Sequence, residues 1–84
     1  TLLLVEDEAP VRQTLRRLLE HRGYAVIEAE DGIDALERLT RARDQVTCVI
    51  SDIRMPRLDG LALAERLVTE APGLPVLLLS GYFS

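Results

Sequence analysis

The chain has 84 residues, enough for one small domain. Hydrophobic residues make up 48% and charged residues 29%, a balance that excludes disordered and fibrous classes. The net charge of −4 argues against direct contact with nucleic acid or an anionic membrane, and no apolar run is long enough to span a bilayer.

Leu2 to Val5 form an unbroken apolar run, the pattern of a strand covered on both faces. Because Thr1 opens directly on this strand, the numbering is expected to start inside a longer protein. No basic stretch followed by an apolar one reads as a signal peptide. Pro10 falls in the first turn of a helix, where its missing N–H costs nothing. Val11, Leu15, Leu18 and Leu19 recur there at helical spacing, and Gly23 marks the stop. Tyr24 to Glu28 read as a second strand. Asp31 and Gly32 make a turn, with Asp31 placed to cap a helix whose stripe is Ile33, Leu36 and Leu39. Val46 to Ile50 read as the third strand, β-branched and nearly all apolar, hence central. Asp59 and Gly60 open a third helix with the stripe Leu61, Ala64, Leu67 and Val68. Two prolines and a glycine within residues 71–75 break it. Val76 to Leu79 form a fourth strand.

The alternation of strands and helices predicts a parallel sheet with right-handed crossovers. No helix follows the fourth strand within the chain, so its leucine run is expected to lie bare at an edge. Long apolar edges associate, so a homodimer or domain swap through this strand is expected, unless further chain covers it.

Three segments place an acid or a hydroxyl at the end of an apolar run: LLLVEDE at 2–8, CVISDIRMP at 48–56 and PVLLLSG at 75–81. Parallel strands converge at their carboxyl ends, where open α/β sheets bind ligands. Glu6, Asp7, Asp52 and Ser80 are therefore expected in one crevice. Glu6 and Asp7 can both face it only if the first strand has already ended. Clustered carboxylates repel one another without a cation, and Mg²⁺ takes such oxygen ligands. Asp52 is then the candidate nucleophile toward phosphorus, with the Ser80 hydroxyl and the Gly81 N–H offered to the phosphoryl oxygens. An aspartate-based phosphatase would need a second acid two positions after the nucleophile; Arg54 stands there, which argues against an enzyme.

Other residues have plainer readings. His21 sits at a helix end, where a cation suits the dipole. Cys48 reads as a small buried apolar group, and as a single cysteine it fits a reducing compartment. Met55 reads as a packing residue. Tyr82 and Phe83 read as packing under further chain. Arg12, Arg16 and Arg17 read as a solvated helix face.

The motifs LLLVEDE, SDIRMPRLDG and LLLSG, in that order, resemble the receiver domain of two-component signalling over the whole chain. The resemblance implies a flavodoxin-like doubly wound α/β sheet of order 2-1-3-4, with the family's fifth strand and last helices absent from residues 1–84. It implies a cytoplasmic phosphoacceptor in which Asp52 takes a phosphoryl group from a phosphohistidine of a histidine kinase or phosphotransfer protein. Asp7 and Asp52 would ligate Mg²⁺ by their side chains, Arg54 by its backbone carbonyl and Glu6 through water. Ser80 would be the switch residue. The family's lysine at the end of the fifth strand has no counterpart, and the chain contains no lysine at all. The ending SGYFS resembles receivers attached to hybrid histidine kinases more than those of DNA-binding regulators. A receiver-like scaffold that dimerises without phosphorylation is the alternative.

Overall fold

Leu2, Leu3, Leu4 and Val5 are all buried, and they form the strand around which the sheet is built. A computed structural model of the chain describes residues 1–79. In chain order its elements are β1 (Leu2–Val5), α1 (Ala9–His21), β2 (Val26–Ala29), α2 (Gly32–Ala42), β3 (Cys48–Asp52), α3 (Gly60–Glu70) and β4 (Val76–Leu79). The four strands pair in parallel in the order β2-β1-β3-β4. The alternation of elements predicts the parallel sheet, and the flavodoxin-like α/β order is the one the family resemblance implies.

Side chains of β1 alternate across the sheet. Leu3 and Val5 join a core with Val49 of β3, Ala35 and Leu39 of α2, and Leu63 and Leu67 of α3. Leu2 and Leu4 point the other way, toward the face on which α1 lies. Unlike α2 and α3, α1 has no buried residue. Its Leu18 is 60% exposed, so the α1 face of the sheet is the thinner layer.

Two strands are shifted from their predicted positions, each because a preceding helix takes longer to close. Gly23 adopts φ +96°, a conformation glycine takes without strain, and ends α1 as expected. However, the Tyr24 N–H still donates to the Leu19 carbonyl at 3.1 Å, so Tyr24 is withheld from the ladder and β2 begins at Val26. Likewise the Val46 N–H donates back to Ala42 at 3.2 Å, and β3 begins at Cys48 instead of Val46. At its other end β3 runs on through Ser51 and Asp52, because Ser51 pairs with Val5 and Asp52 with Leu79.

The stripe expected of α3 is also corrected. Leu63 and Leu67 are buried with Gly60, whereas Leu61 and Val68 are 53% and 74% exposed. Gly60 approaches β3 so closely that it sets the helix's rotation and turns Leu63 inward. Cys48 is half-buried, less than its place in an inner strand suggested.

Candidate functional site: an acidic crevice at the strand ends

Register explains why the acids meet. Val5 pairs with Ser51, so the next residues, Glu6 and Asp52, lie level at the ends of adjacent strands. The strand ends at Val5, as required for Glu6 and Asp7 to share one crevice. The Glu6 N–H donates to the Ala29 carbonyl at 3.0 Å, which holds its backbone while the chain turns toward α1. Carboxylate oxygens of Glu6, Asp7 and Asp52 all lie within 4.8 Å of one another. Glu6 and Asp52 are buried, each 4% exposed, and Asp7 is exposed at the rim.

The oxygens are held by short backbone bonds. Asp52 Oδ1 accepts from the Ile53 N–H at 2.8 Å, and Glu6 Oε2 from the Glu8 N–H at 3.0 Å. Among the described residues, no ion pair involves any of the three acids. The cost falls on Glu6, whose carboxyl is pushed up to about 7. Burial is the main cause; a hydrogen bond with Asp7 and the charges of Asp52 and Asp7 add to it, and the Glu8 N–H opposes it. An all-oxygen set with a surplus of negative charge and no cation of its own fits a hard divalent ion such as Mg²⁺.

The other predicted site residues divide in two. Arg54 lies in the 53–59 loop, two residues past Asp52, with its side chain exposed. Ser80 and Gly81 lie outside the described residues, as do Tyr82 and Phe83. Leu79, which precedes Ser80, pairs with Asp52. His21 is the exposed last residue of α1.

Two features escaped the sequence. Arg12 is not simply solvated: its guanidinium donates to the Glu6 carbonyl at 2.7 Å and to Glu28 Oε1 at 3.0 Å. Arg16 also reaches Glu28, so β2 supplies an anion that the helical spacing of arginines could not reveal. The second is a pair between Arg57 and Asp31, at 2.6 and 2.9 Å. Asp31 does cap α2, as expected, accepting from the Asp34 N–H at 2.9 Å. Its second role rests on residues far apart in the chain, which no local pattern connects.

A parallel sheet that gathers carboxylates at its carboxyl edge defines a class of α/β module with a ligand crevice at the strand ends. A family model described as the response regulator receiver domain matches residues 2–84, and the chain belongs to that family. Membership gives it a phosphoacceptor signalling role. It is 43% identical over 79 residues to the response regulator MprA of Mycobacterium leprae, covering 94% of this chain and 34% of that protein. The chain thus spans about a third of the length of the curated relatives it matches. Among solved structures it is similar to a response regulator receiver domain protein from Clostridium thermocellum, with TM-score 0.91 and 28% identity over 96% of this chain and 64% of that one. It is also similar to the response regulator TrrA of Thermotoga maritima, solved in complex with Mg²⁺-BeF, with TM-score 0.89 and 32% identity over 96% of this chain and 69% of that one.

Proposed function

We propose that Asp52 accepts a phosphoryl group from a phosphohistidine on a partner kinase or phosphotransfer protein, within a cytoplasmic signalling protein. The observation that carries this reading is the crevice of Glu6, Asp7 and Asp52, which lacks a counter-cation among the described residues. Asp7, Asp52 and the Arg54 backbone carbonyl would hold Mg²⁺, with Glu6 acting through water. When bound, the ion offsets the charge of the crevice and of the transferring group. A relative that was solved with Mg²⁺-BeF, a phosphoryl-like group, supports the assignment.

The chain's own residues orient the nucleophile. The Ile53 N–H bond to Asp52 Oδ1 fixes the rotation of the carboxylate, so Oδ2 would attack phosphorus while Oδ1 keeps a lone pair for the cation. The new O–P bond forms as the P–N bond of the phosphohistidine breaks; the bonding pair stays on the imidazole nitrogen, which takes a proton from solvent. The Ser80 hydroxyl and the Gly81 N–H would meet the phosphoryl oxygens, and a shift of Ser80 would report the new state. The test is intact mass after incubation with Mg²⁺ and acetyl phosphate, beside Asp52→Asn. A single phosphoryl adduct on the unmodified chain alone is expected. Equal uptake by Asp52→Asn would overturn the assignment of Asp52.

One observation favours an added role in self-association. The outer edge of β4 is unpaired among the described residues, and Leu77 on it is 55% exposed. We propose that a second copy pairs there. A monomeric mass by light scattering across a wide concentration range would remove this role and leave the phosphoacceptor reading intact.

A further inference from the structure

The 53–59 loop leaves Asp52 and returns to Gly60 at the start of α3. The Gly60 N–H donates to the Ile53 carbonyl at 2.8 Å, so the loop is closed into a ring. Within it, the Leu58 N–H donates to the Pro56 carbonyl at 2.8 Å across a single residue, Arg57, at φ +66°. This is a γ-turn of the rarer, strained form, with a bulky residue where glycine or asparagine would be easier. Arg57 holds its own strained backbone by reaching out of the ring. Its Nε and Nη2 donate to the two carboxylate oxygens of Asp31, 26 residues away. Next to that anchor, the Gly32 N–H donates to the Leu58 carbonyl at 3.0 Å. The ring's other end carries the Ile53 N–H, which fixes Asp52 Oδ1.

We propose that the Asp31–Arg57 pair is a positioning device for the acidic crevice: it pins the strained turn, the closed ring transmits that constraint to Ile53, and Ile53 sets the rotation of the Asp52 carboxylate. Arg57 and Asp31 are positioning residues, since neither is within the carboxylate cluster. The inference rests on the reading of the crevice as a Mg²⁺ site. A purely structural tether would behave differently. Glycine adopts φ +66° without strain, so Arg57→Gly would then leave cation affinity untouched.

The test is a Mg²⁺ titration of the full 84-residue chain, followed by NMR amide shifts, with Arg57→Gly, Arg57→Lys, Asp31→Asn and the Asp31→Asn/Arg57→Gly double variant alongside. Arg57→Gly and Asp31→Asn should each weaken Mg²⁺ about 10-fold, as outer-shell changes at metal sites do. The double variant should be no weaker than either single, because both cut the same link. Arg57→Lys should fall between, a single ammonium replacing a two-pronged fork. In Mg²⁺-free solution the Leu58 and Gly60 amides should exchange faster in both single variants, independently of any phosphorylation. Asp31→Asn keeps the helix cap and Arg57→Lys keeps the charge, so these two carry the test if Arg57→Gly does not fold. Affinities within about two-fold of the unmodified chain, or additive losses in the double variant, would overturn the device. If the unmodified chain shows no saturable Mg²⁺ response, the crevice reading itself fails and the device falls with it; that outcome is seen before any variant is compared.

Discussion

Glu6 and Asp31 are equally buried, each 4% exposed, yet they hold their protons in opposite senses. Asp31 is held below the usual carboxylate range, chiefly by its hydrogen bonds from Arg57, against an opposing push from burial. Glu6 is pushed up to about 7, first by burial and then by its neighbours Asp7 and Asp52. Burial acts the same way on both; among the described residues the Asp31 carboxylate is paired with a cation and the Glu6 carboxylate is not. A buried acid with a built-in partner fastens two loops together. A buried acid among other acids carries a surplus of like charge, which raises its carboxyl and would favour a cation from outside.

The sharpest way to break the comparison is through the two glycines that let each corner close. A Cβ on Gly60 would stand 2.2 Å from the Asp52 carbonyl oxygen and 3.0 Å from Ile53 Cα, both backbone atoms that cannot rotate away. Gly60→Ala should cost about 3 kcal/mol, read from the urea midpoint. A Cβ on Gly32 would stand 2.4 Å from the Leu58 carbonyl oxygen, so Gly32→Ala should cost nearly as much. Either alanine tolerated within about 0.5 kcal/mol would mean that the loops do not approach as closely as described.

Removing the fastener's anion comes next. Asp31→Ala loses both the α2 cap and the partner of Arg57, and should cost about 2 kcal/mol by denaturant unfolding. Asp31→Asn keeps the cap and should cost about 1 kcal/mol. If the two variants were equally destabilised, the charge of Asp31 would be doing all the fastening and the cap none of it.

The third test uses pH, because the two acids have opposite signs. Glu6 has a folded value of about 7 against an ordinary 4.5. Its contribution to stability is therefore fully present below pH 4.5 and is lost as pH rises through about 7. Asp31 is lowered from 3.8, so its contribution is present above 3.8 and is lost as pH falls through the lowered value. In metal-free buffer, Glu6→Gln should gain on the unmodified chain as pH rises between 4.5 and about 7, then level off. The disadvantage of Asp31→Asn should shrink only in acid. Mg²⁺ should stabilise the unmodified chain more at about pH 8 than at about pH 5, because ion and proton compete for the same oxygens. A Mg²⁺ effect independent of pH would separate Glu6 from the cation site.

These corners also differ in how far they were legible in the sequence. The crevice rests on strand ends, and strand ends follow from apolar runs; the run Leu2 to Val5 sets Glu6 and Asp7 in one crevice on the condition that the strand stops there, and it stops at Val5. The sequence stops the third strand at Ile50, yet the structure carries it to Asp52 and brings that residue beside Glu6 and Asp7. Apolarity alone hides the fact that Ser51 and Asp52 still pair with Val5 and Leu79. The starts of β2 and β3 were misplaced because hydrogen bonds back to Leu19 and Ala42 leave no compositional trace. The sequence runs α3 through Leu61, Ala64, Leu67 and Val68, and helical spacing allows two phases; the close approach of Gly60 to Asp52, a tertiary fact, selects the one that buries Leu63 and Leu67. The Asp31–Arg57 fastener joins residues that no periodicity relates, and a polar loop residue at positive φ has no signature beyond being neither glycine nor asparagine.

The smallest effects compare two arginines that look alike in sequence, each facing an acid from a helix. Arg66 pairs with Glu70 one turn on, and both side chains are about half exposed, at 50% and 46%. Exposed pairs of this spacing contribute little, so Arg66→Ala should change stability by about 0.3 kcal/mol and lose even that in high salt. Arg12 is only 17% exposed, and beyond Glu28 it donates to the carbonyl of Glu6, the residue that opens the crevice. Arg12→Ala leaves that carbonyl and the Glu28 carboxylate short of a donor and should cost about 1 kcal/mol, largely insensitive to salt. Because the lost bond is to the Glu6 backbone, Arg12→Ala should also shift the Glu6 and Asp7 amide resonances, whereas Arg66→Ala should leave them in place. Equal, salt-screened losses at both sites would reduce Arg12 to the solvated helix face that its spacing suggested.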